Sequence, residues 1–593
     1  MSIGTATGIR PRLQLARIEI VQAALAVATL ASLALWAISL PAVDVGAMND
    51  LGLVSVLTPL TIAGYVLLTV TFAITVVSRP AARWLLLLQV LALIVMLFAA
   101  PALLESAARF SVSWRHAGII EVLTRTGRID STIDAYFSWP GFFALGAFVT
   151  QAAGLSSAID MAPWAPVTFN LLYLPAVVLI LRAGTADARV VWTGTWIFFV
   201  GNWIGQDYFS PQGLAYFLYL MIIGILLTLF RPAPPERGWI ARWFRPWDAD
   251  RERPKLRPHQ RAALMASVLL LFATTIYSHQ LTPFAVVGIV ILLVIVRRID
   301  ATGLPMVMLV LLGAWLSYMT VEYLSGHIDA LISRIGSVDS TVAANLTDRF
   351  RGSSLHLLVL GVRALTTLMI FGLAFVGSLD RLVQGRRDLT WPALAAAPFG
   401  LLLLQDYGGE MLLRVYLFSL PFAAFLAAHA FVSVEARGRP RHAFVLFGIL
   451  TILGGAFLIS RYGNERMDMV TSTEVAGIQQ LYDVAPPDSL LVAVSDNTPW
   501  KFKDYELYHY AVVNHEARLQ DVSAIIARMR RDPEREAFLV ISRSQLAALE
   551  LQGGMTPAEV DQLIDTFRSD PRLRVVFANP EVTVFSTTPQ AAS

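Results

Sequence analysis

The sequence predicts an α-helical polytopic membrane protein of about 13 spans followed by a soluble α/β domain, on three observations. First, the 593 residues are 56% hydrophobic and only 15% charged, against about 25% charge in soluble globular chains. The apolar residues come in runs such as "LLLLQVLALIVMLFAAPALL" and "LHLLVLGVRALTTLMIFGLAFVG", long enough to cross a bilayer as helices. Second, Arg residues gather between these runs. The net charge of +3 therefore reads as membrane orientation and not as a nucleic-acid surface. Third, the composition changes sharply after residue 460. The chain has no Cys, which excludes disulfides, thiolate metal sites and a Cys nucleophile.

The expected spans lie near 18–40, 57–77, 84–104, 164–182, 188–204, 212–230, 261–278, 283–297, 303–320, 355–378, 391–405, 411–433 and 443–460. The first follows Arg10, Arg12 and Arg17. It is longer than a signal-peptide core and reads as an uncleaved span. With the N-terminus cytoplasmic, Arg79/Arg83, Arg182/Arg189, Arg297/Arg298, Arg381/Arg386/Arg387 and Arg437/Arg439/Arg441 all fall inside. So does the loop 231–261, with nine Lys/Arg against four Asp/Glu. The stretch 141–182 is too short for three spans of about 20 residues, and two would place every later basic loop outside. One span remains, with "WPGFFALGAFVTQAAGL" expected to lie along the outer interface.

Three features then face outward: the loops 105–140 and 321–354, and the tail 461–593. Residues 1–460 form the expected transmembrane domain and 461–593 the extracytoplasmic one. In the tail "DSLLVAVS", "EAFLVISR" and "LRVVFAN" read as strands. "TPAEVDQLIDTFRSD" opens with a Thr cap, a Pro and a Glu and continues with helical period. "SDNTPWKFKDYELYHY" suits either an acceptor-glycan surface or ordinary core around Trp500. No internal repeat is evident, which weighs against an inverted-repeat transporter.

Ionisable residues gather on the outer side, where they are functional candidates. "GRIDSTIDAYFSWPGFF" offers Asp130, Asp134, Tyr136 and Trp139. "GQDYFSPQ" offers Asp207, Tyr208 and Gln212; "YSHQLTPF" offers His279; "VEYLSGHID" offers Glu322 and His327. "QDYGGEMLLRVYLFSLP" brings Asp406, Glu410 and Arg414, and Arg349 closes the loop 321–354. Each has a plainer reading: Asp134 as a solvated loop acid, Asp207 as a cap for the helix at Pro211, Glu410 and Arg414 as an i, i+4 pair. Sharing one membrane face, they make a pocket of carboxylates, a His, Arg and aromatic rings. Such a pocket suits glycosyl transfer from a polyprenyl-phosphate sugar. A carboxylate takes the proton of the attacking hydroxyl, an Arg holds the phosphate, aromatic faces carry the sugar, and the lipid lies between spans.

The order of these features resembles that of GT-C-type membrane glycosyltransferases, the class that includes protein mannosyltransferases and lipid A aminoarabinose transferases. "DAYFSWPGFFALGAFVTQAAGL" followed by "PVTFNLLYLPAVVLILR" resembles their first outer loop and return span. "QDYFSPQGLAYFLYL" stands where they carry a second acidic loop, and "GGEMLLRVYLFSLPF" is similar to a late span with an Arg before a Pro. The resemblance covers about 134–460 and lies in order more than in letters. It implies Asp134 as the base, Asp207 as the second acid and Arg414 as a phosphate ligand, joined by His279 and Arg349. Asp130, Tyr136, Trp139, Tyr208, Gln212, Glu322 and Glu410 would line the pocket. The implied partners are a polyprenyl-phosphate-linked sugar, membrane lipid and a glycan, lipid or protein acceptor of the cell envelope, with no nucleic acid. The chain departs from the class in having three spans before the loop and Asp134-Ala135 in place of an acidic pair. No ligand spacing for a metal stands out; a divalent cation stays open through Asp134, Asp207 and His279. Two other readings compete. An O-antigen-type polymerase or ligase would centre on Glu322, His327, Arg334, Arg349 and Arg351. A lipid-linked glycan transporter would need charges at mid-span, where Gln89 and Arg363 are the exceptions to an apolar interior.

Overall fold

A computed structural model describes residues 9–78, 81–233, 237–245, 255–321, 351–403, 410–432, 440–513, 522–532 and 534–587. Among them, eight helices are long and apolar enough to cross a membrane: Ile18–Ala42, Pro59–Val77, Ala158–Gly184, Pro211–Leu229, Pro258–Ser278, Ser354–Val383, Met411–Phe431 and His442–Asp468. Each coincides with an expected span. The other five expected spans are shorter. Arg83–Phe98, Ala188–Gly201, Thr282–Ile295 and Leu304–Met319 have 16, 14, 14 and 16 residues, below the roughly 20 that a span requires. Thr390–Ala396 turns into a 3₁₀ run, Ala397–Leu403. The leftover segment at 141 forms a helix of 13 residues, Gly141–Ala153. It buries Phe142 and Phe143 and exposes Leu145 and Phe148, the two-sided apolar character suited to an interface.

The helix Met411–Phe431 is the most enclosed of the eight. Pro421 lies inside it and has no N–H for the carbonyl of Leu417. Tyr216 of the helix Pro211–Leu229 donates its hydroxyl to that carbonyl at 2.8 Å, and Tyr219 donates to the carbonyl of Phe418 at 3.0 Å. The proline thus frees an acceptor, and a neighbouring helix satisfies it, as an apolar interior demands. On its other flank, Ser354–Val383 approaches so closely that a Cβ on Gly377 would lie 2.0 Å from the carbonyl oxygen of Leu426.

The tail folds into five strands in the order β2-β1-β3-β5-β4, with β1 (Leu490–Ala493), β2 (His509–Val512), β3 (Ala537–Ser542), β4 (Leu573–Ala578) and β5 (Val582–Thr587). β1 pairs in parallel with β2 and β3; β5 runs antiparallel to β3 and β4. Every residue of β3 is buried because helices cover both faces. Leu539 and Ile541 meet the helices Val522–Met529 and Pro557–Ser569; Phe538 and Val540 meet Ser472–Val484 and Trp500. Trp500 is therefore core. Thr556 and Glu559 form the expected capping box. The sheet-bearing region sits directly on the helical part. A Cβ on Gly118 would lie 1.7 Å from the carbonyl oxygen of Lys501, and Arg466 bonds Asp50 at 2.7 Å.

Candidate active site

A cavity of about 670 Å³ lies where the turn 203–208, the last apolar helix and the tail meet, a size typical of ligand pockets. One wall is a single stripe of the helix Ser354–Val383: Leu360, Arg363, Ala364, Thr367, Leu368 and Phe371. The spacing is that of one helical face. It runs from charged to apolar, and it ends beside Phe399. Leu368 is 68% and Phe399 44% exposed, so this flank opens on the apolar surface of the molecule. The facing wall comes from the turn carrying Trp203, Gly205, Gln206 and Tyr208 and from Leu413 and Tyr416. Phe110, Arg461, Asn464, Met467, Asp468, Glu410 and Gln552 complete it.

Two arginines line the cavity. Arg363 donates from Nε to the carbonyl of Ser460 at 2.7 Å and lies over the Trp203 ring at 5.7 Å. With the Asn464 amide turned so that its nitrogen donates to His356 Nδ1, its oxygen accepts from both terminal nitrogens of Arg363 at 3.2 Å. Arg461, in the last turn of the helix Pro440–Tyr462, donates from Nη2 to Asp207 Oδ1 at 2.8 Å. Asn170 donates to the other Asp207 oxygen, and Asn202 in turn donates to Asn170 at 3.0 Å. The Asp207 and Arg461 side chains are each 1% exposed. Arg461 Nη1 also donates to the carbonyl of Asn202 at 3.5 Å, while its Nε has no hydrogen-bond partner among the described residues, so the buried pair leans on the Asp207 contact.

A group of acids lies behind the polar end. Arg109 pairs with Glu465 and lies 3.9 Å from Asp468. Burial first, and then the facing Glu465, push Glu105 well above the usual carboxylate range. Phe110 is held at φ 64, and its N–H donates to the carbonyl of Asp468 at 2.8 Å. A bulky residue in the left-handed region is strained, and here it fixes the wall beside the acid. Among the described residues, no group of three or more His, Asp or Glu could hold a metal ion.

Of the residues singled out in the sequence, Tyr208, Arg363 and Glu410 line this cavity. Asp207 does not; it holds Arg461, which does. It is also not the helix cap, since Ser210 accepts from Gly213 N at 3.2 Å. Asp134 is elsewhere. Oδ1 accepts from Arg115 Nη2 at 2.7 Å and from Tyr136 N at 3.0 Å; Oδ2 accepts from Arg115 Nε at 2.6 Å and from Tyr505 Oη at 2.7 Å. Burial would raise its pKa, but the Arg115 charge and these hydrogen bonds outweigh it and hold the carboxyl below its usual range. Four donors occupy the lone pairs of both oxygens. Neither Asp134 nor Asp207 lines this cavity.

Arg414 donates to Glu410 Oε2 at 2.8 Å, the expected i, i+4 pair, and stands behind that cavity residue. His279 accepts at Nδ1 from Leu281 N and Thr282 N, both at 3.2 Å. It terminates one helix and begins the next. Burial and then Arg414 lower its pKa to about 3, so it brings no positive charge to a phosphate. Asp130 closes a local turn with Thr132. Tyr136 lies under the Arg115 guanidinium at 5.0 Å; Trp139 is core. Gln212 is buried in the first turn of Pro211–Leu229, with no hydrogen-bond partner for its amide among the described residues. Glu322, His327, Arg334, Arg349 and Asp406 lie outside the described residues.

Several site residues were not singled out: Glu105, Arg109, Arg461, Asn464, Asp468, Gln552 and His116. Their signal was "LLESAARF" and "RYGNERMD", dense charge at the end of an apolar run. His116 shows how the turn is supported. Its Nδ1 lies 2.7 Å from the carbonyl of Phe209, and its ring stacks on Tyr208 at 5.8 Å and 14°. Burial lowers its pKa to about 4, so it stays neutral with Nδ1 as donor.

No family model matches this chain, and no curated protein matches it. Among solved structures it is similar to ArnT from Cupriavidus metallidurans bound to undecaprenyl phosphate, with TM-score 0.45 and 13% identity over 86% of this chain and 99% of that one. The apo form gives TM-score 0.46 at 13% identity over the same shares. Arabinofuranosyltransferase AftD from Mycobacteria gives TM-score 0.43 and 15% identity over 86% of this chain and 40% of that one. At TM-scores below 0.5 the likeness does not carry their activity or their residues over to this chain.

Proposed function

We propose that this chain is a multi-pass membrane glycosyltransferase that moves a sugar from a polyprenyl-phosphate donor to an acceptor on the extracytoplasmic face. One observation carries the reading: a single cavity joins two arginines and a carboxylate at one end to an apolar flank open sideways at the other. An amphiphile with an anionic head fits that gradient. Arg363 brings its fixed positive charge to the phosphate, each terminal nitrogen having a second hydrogen beyond its Asn464 contact, with Arg461 beside it in the cavity wall. The lipid follows Thr367, Leu368 and Phe371 outward past Phe399. At the polar end an acceptor hydroxyl attacks the anomeric carbon. The bond from that carbon to the phosphate oxygen breaks, polyprenyl phosphate leaves with the electron pair, and Asp468 takes the hydroxyl proton. Glu410, steadied by Arg414, is the second acid of the cavity. Asp207 acts through Arg461 as a positioning residue, and Asp134 is a strut. With the basic loop 231–261 cytoplasmic and the five shorter apolar segments crossing alongside the eight long helices, the N-terminus is cytoplasmic and the sheet-bearing region 461–593 lies outside. The acceptor is a glycan, lipid or protein of the cell envelope.

The test is lipid binding by the purified full chain. Wild type is expected to bind polyprenyl phosphate. Arg363→Gln removes a charge-assisted contact and weakens binding about 10- to 100-fold. A wild-type protein that binds no polyprenyl phosphate, or an Arg363→Gln variant that binds it equally, sinks the reading.

A further inference from the structure

The tail reaches into the cavity through Gln552, which is exposed and follows directly on the helix Arg543–Leu551. We infer that Gln552 reads the sugar of the donor, so that the sheet-bearing region is part of the active site and selects its substrate. The inference rests on the proposed polyprenyl-phosphate reading and adds to it which end of the cavity holds the sugar and what recognises it.

Position along one helix gives the order. Ser353 donates its backbone N–H to the carbonyl of Leu551 at 2.9 Å. Gly352, at φ 113, permits that approach; a Cβ there would lie 2.0 Å from the Leu551 oxygen. The segment Leu551–Gln552 therefore sits at the start of Ser354–Val383. Arg363 comes ten residues after Ser353, a rise of about 15 Å, and Phe371 lies two turns beyond. Helical side chains lean toward the N-terminus, so the guanidinium reaches back toward Gln552. The phosphate level thus lies between the apolar flank on one side and Gln552 on the other. A lipid that leaves past Phe371 and Phe399 must point its sugar toward Gln552 and Asp468.

The support under Gln552 is firm. Arg543 donates to the carbonyl of Met469 at 3.1 Å and to that of Arg466 at 3.3 Å. Arg466 pairs with Glu550, and Met467 packs on Ala547, Ala548 and Leu551. The helix that ends at Gln552 is therefore bolted to the segment that carries Asp468. A side-chain amide has two donors and an acceptor, a match for hydroxyls that both give and accept.

The experiment compares binding of bare polyprenyl phosphate with binding of a panel of polyprenyl-phosphoryl sugars carrying mannose, glucose, arabinose or aminoarabinose. Wild type, Gln552→Ala and Arg363→Gln are measured as full chains. The expected result is tighter binding of one sugar-bearing lipid than of the bare one by wild type. Gln552→Ala then loses about 5- to 10-fold on that lipid and nothing on the bare one. Equal binding of the sugar lipid by Gln552→Ala and wild type overturns the inference; so does a wild type that gains nothing from any sugar. In both cases, retained bare-lipid binding that falls in Arg363→Gln leaves the phosphate reading standing. Failure of wild type to bind any of these lipids overturns both.

Discussion

Asp207 and Asp134 are both buried carboxylates clamped by an Arg, yet they do opposite things. Asp207 holds Arg461, a residue of the cavity wall. Asp134 holds Arg115 and Tyr505 and so ties the loop 105–140 to the tail. The partners differ in their access to water: Arg461 is 1% exposed, Arg115 35%. A buried outer-face acid is thus not a base by default. What its Arg touches next decides whether it serves chemistry or assembly.

The largest effect should come from Asp207→Asn. Arg461 has no water to retreat to, and breaking such a pair costs about 3–5 kcal/mol. We expect a large fall in Tm and loss of transfer together. The double variant Asp207→Asn/Arg461→Met removes both charges and should recover Tm without recovering transfer. Recovery of transfer in it would place Arg461 outside the site and erase the contrast. Asp134→Asn should do less. Arg115 can turn to solvent, and the cost is on the order of 1–3 kcal/mol, read as a smaller drop in Tm with turnover per folded molecule unchanged. Because the native Asp134 carboxyl titrates below its usual range, its contribution is present above the ordinary carboxylate pKa and is lost as pH falls through the lowered one. Wild type should therefore lose Tm in acid more steeply than Asp134→Asn.

The smallest effect concerns Lys501, beside the same strut. Its ammonium lies 5.2 Å from the Tyr505 ring and 5.0 Å from the Tyr510 ring. Burial lowers its pKa from 10.5 to about 8. Between those two values the unfolded chain binds more protons than the folded one, so stability rises with pH across that window. Tm should rise between pH 8 and 10 in wild type, and this rise should be missing in Lys501→Met. An equal rise in both would remove Lys501 from the account.

Much of the scaffold was legible in the sequence because its causes are local. The eight long apolar helices, the capping box at Thr556 and the Glu410–Arg414 pair follow from run length and spacing. The site was less legible because its causes are distant. Asp207 meets Asn170 across 37 residues and Arg461 across 254. Arg461, Glu465 and Asp468 close an apolar run, where charge serves topology, capping or chemistry with the same letters. Arg363 stood out as a charge within a span, but only the stripe from Leu360 to Phe371 gives it a cavity to face. The 14- and 16-residue helices are shorter than their apolar runs because side-chain hydropathy does not reveal where the backbone breaks, as it does at Ala99 before Pro101.

The most direct test sets the two acids side by side in one assay. Transfer of labelled sugar from a polyprenyl phosphate is measured for Asp468→Asn and Asp134→Asn, each corrected for folded protein. Loss of a general base predicts a fall of about 10²- to 10⁴-fold for Asp468→Asn, with wild-type turnover for Asp134→Asn. Full activity in Asp468→Asn with loss in Asp134→Asn would contradict the account and return the base to the loop 105–140.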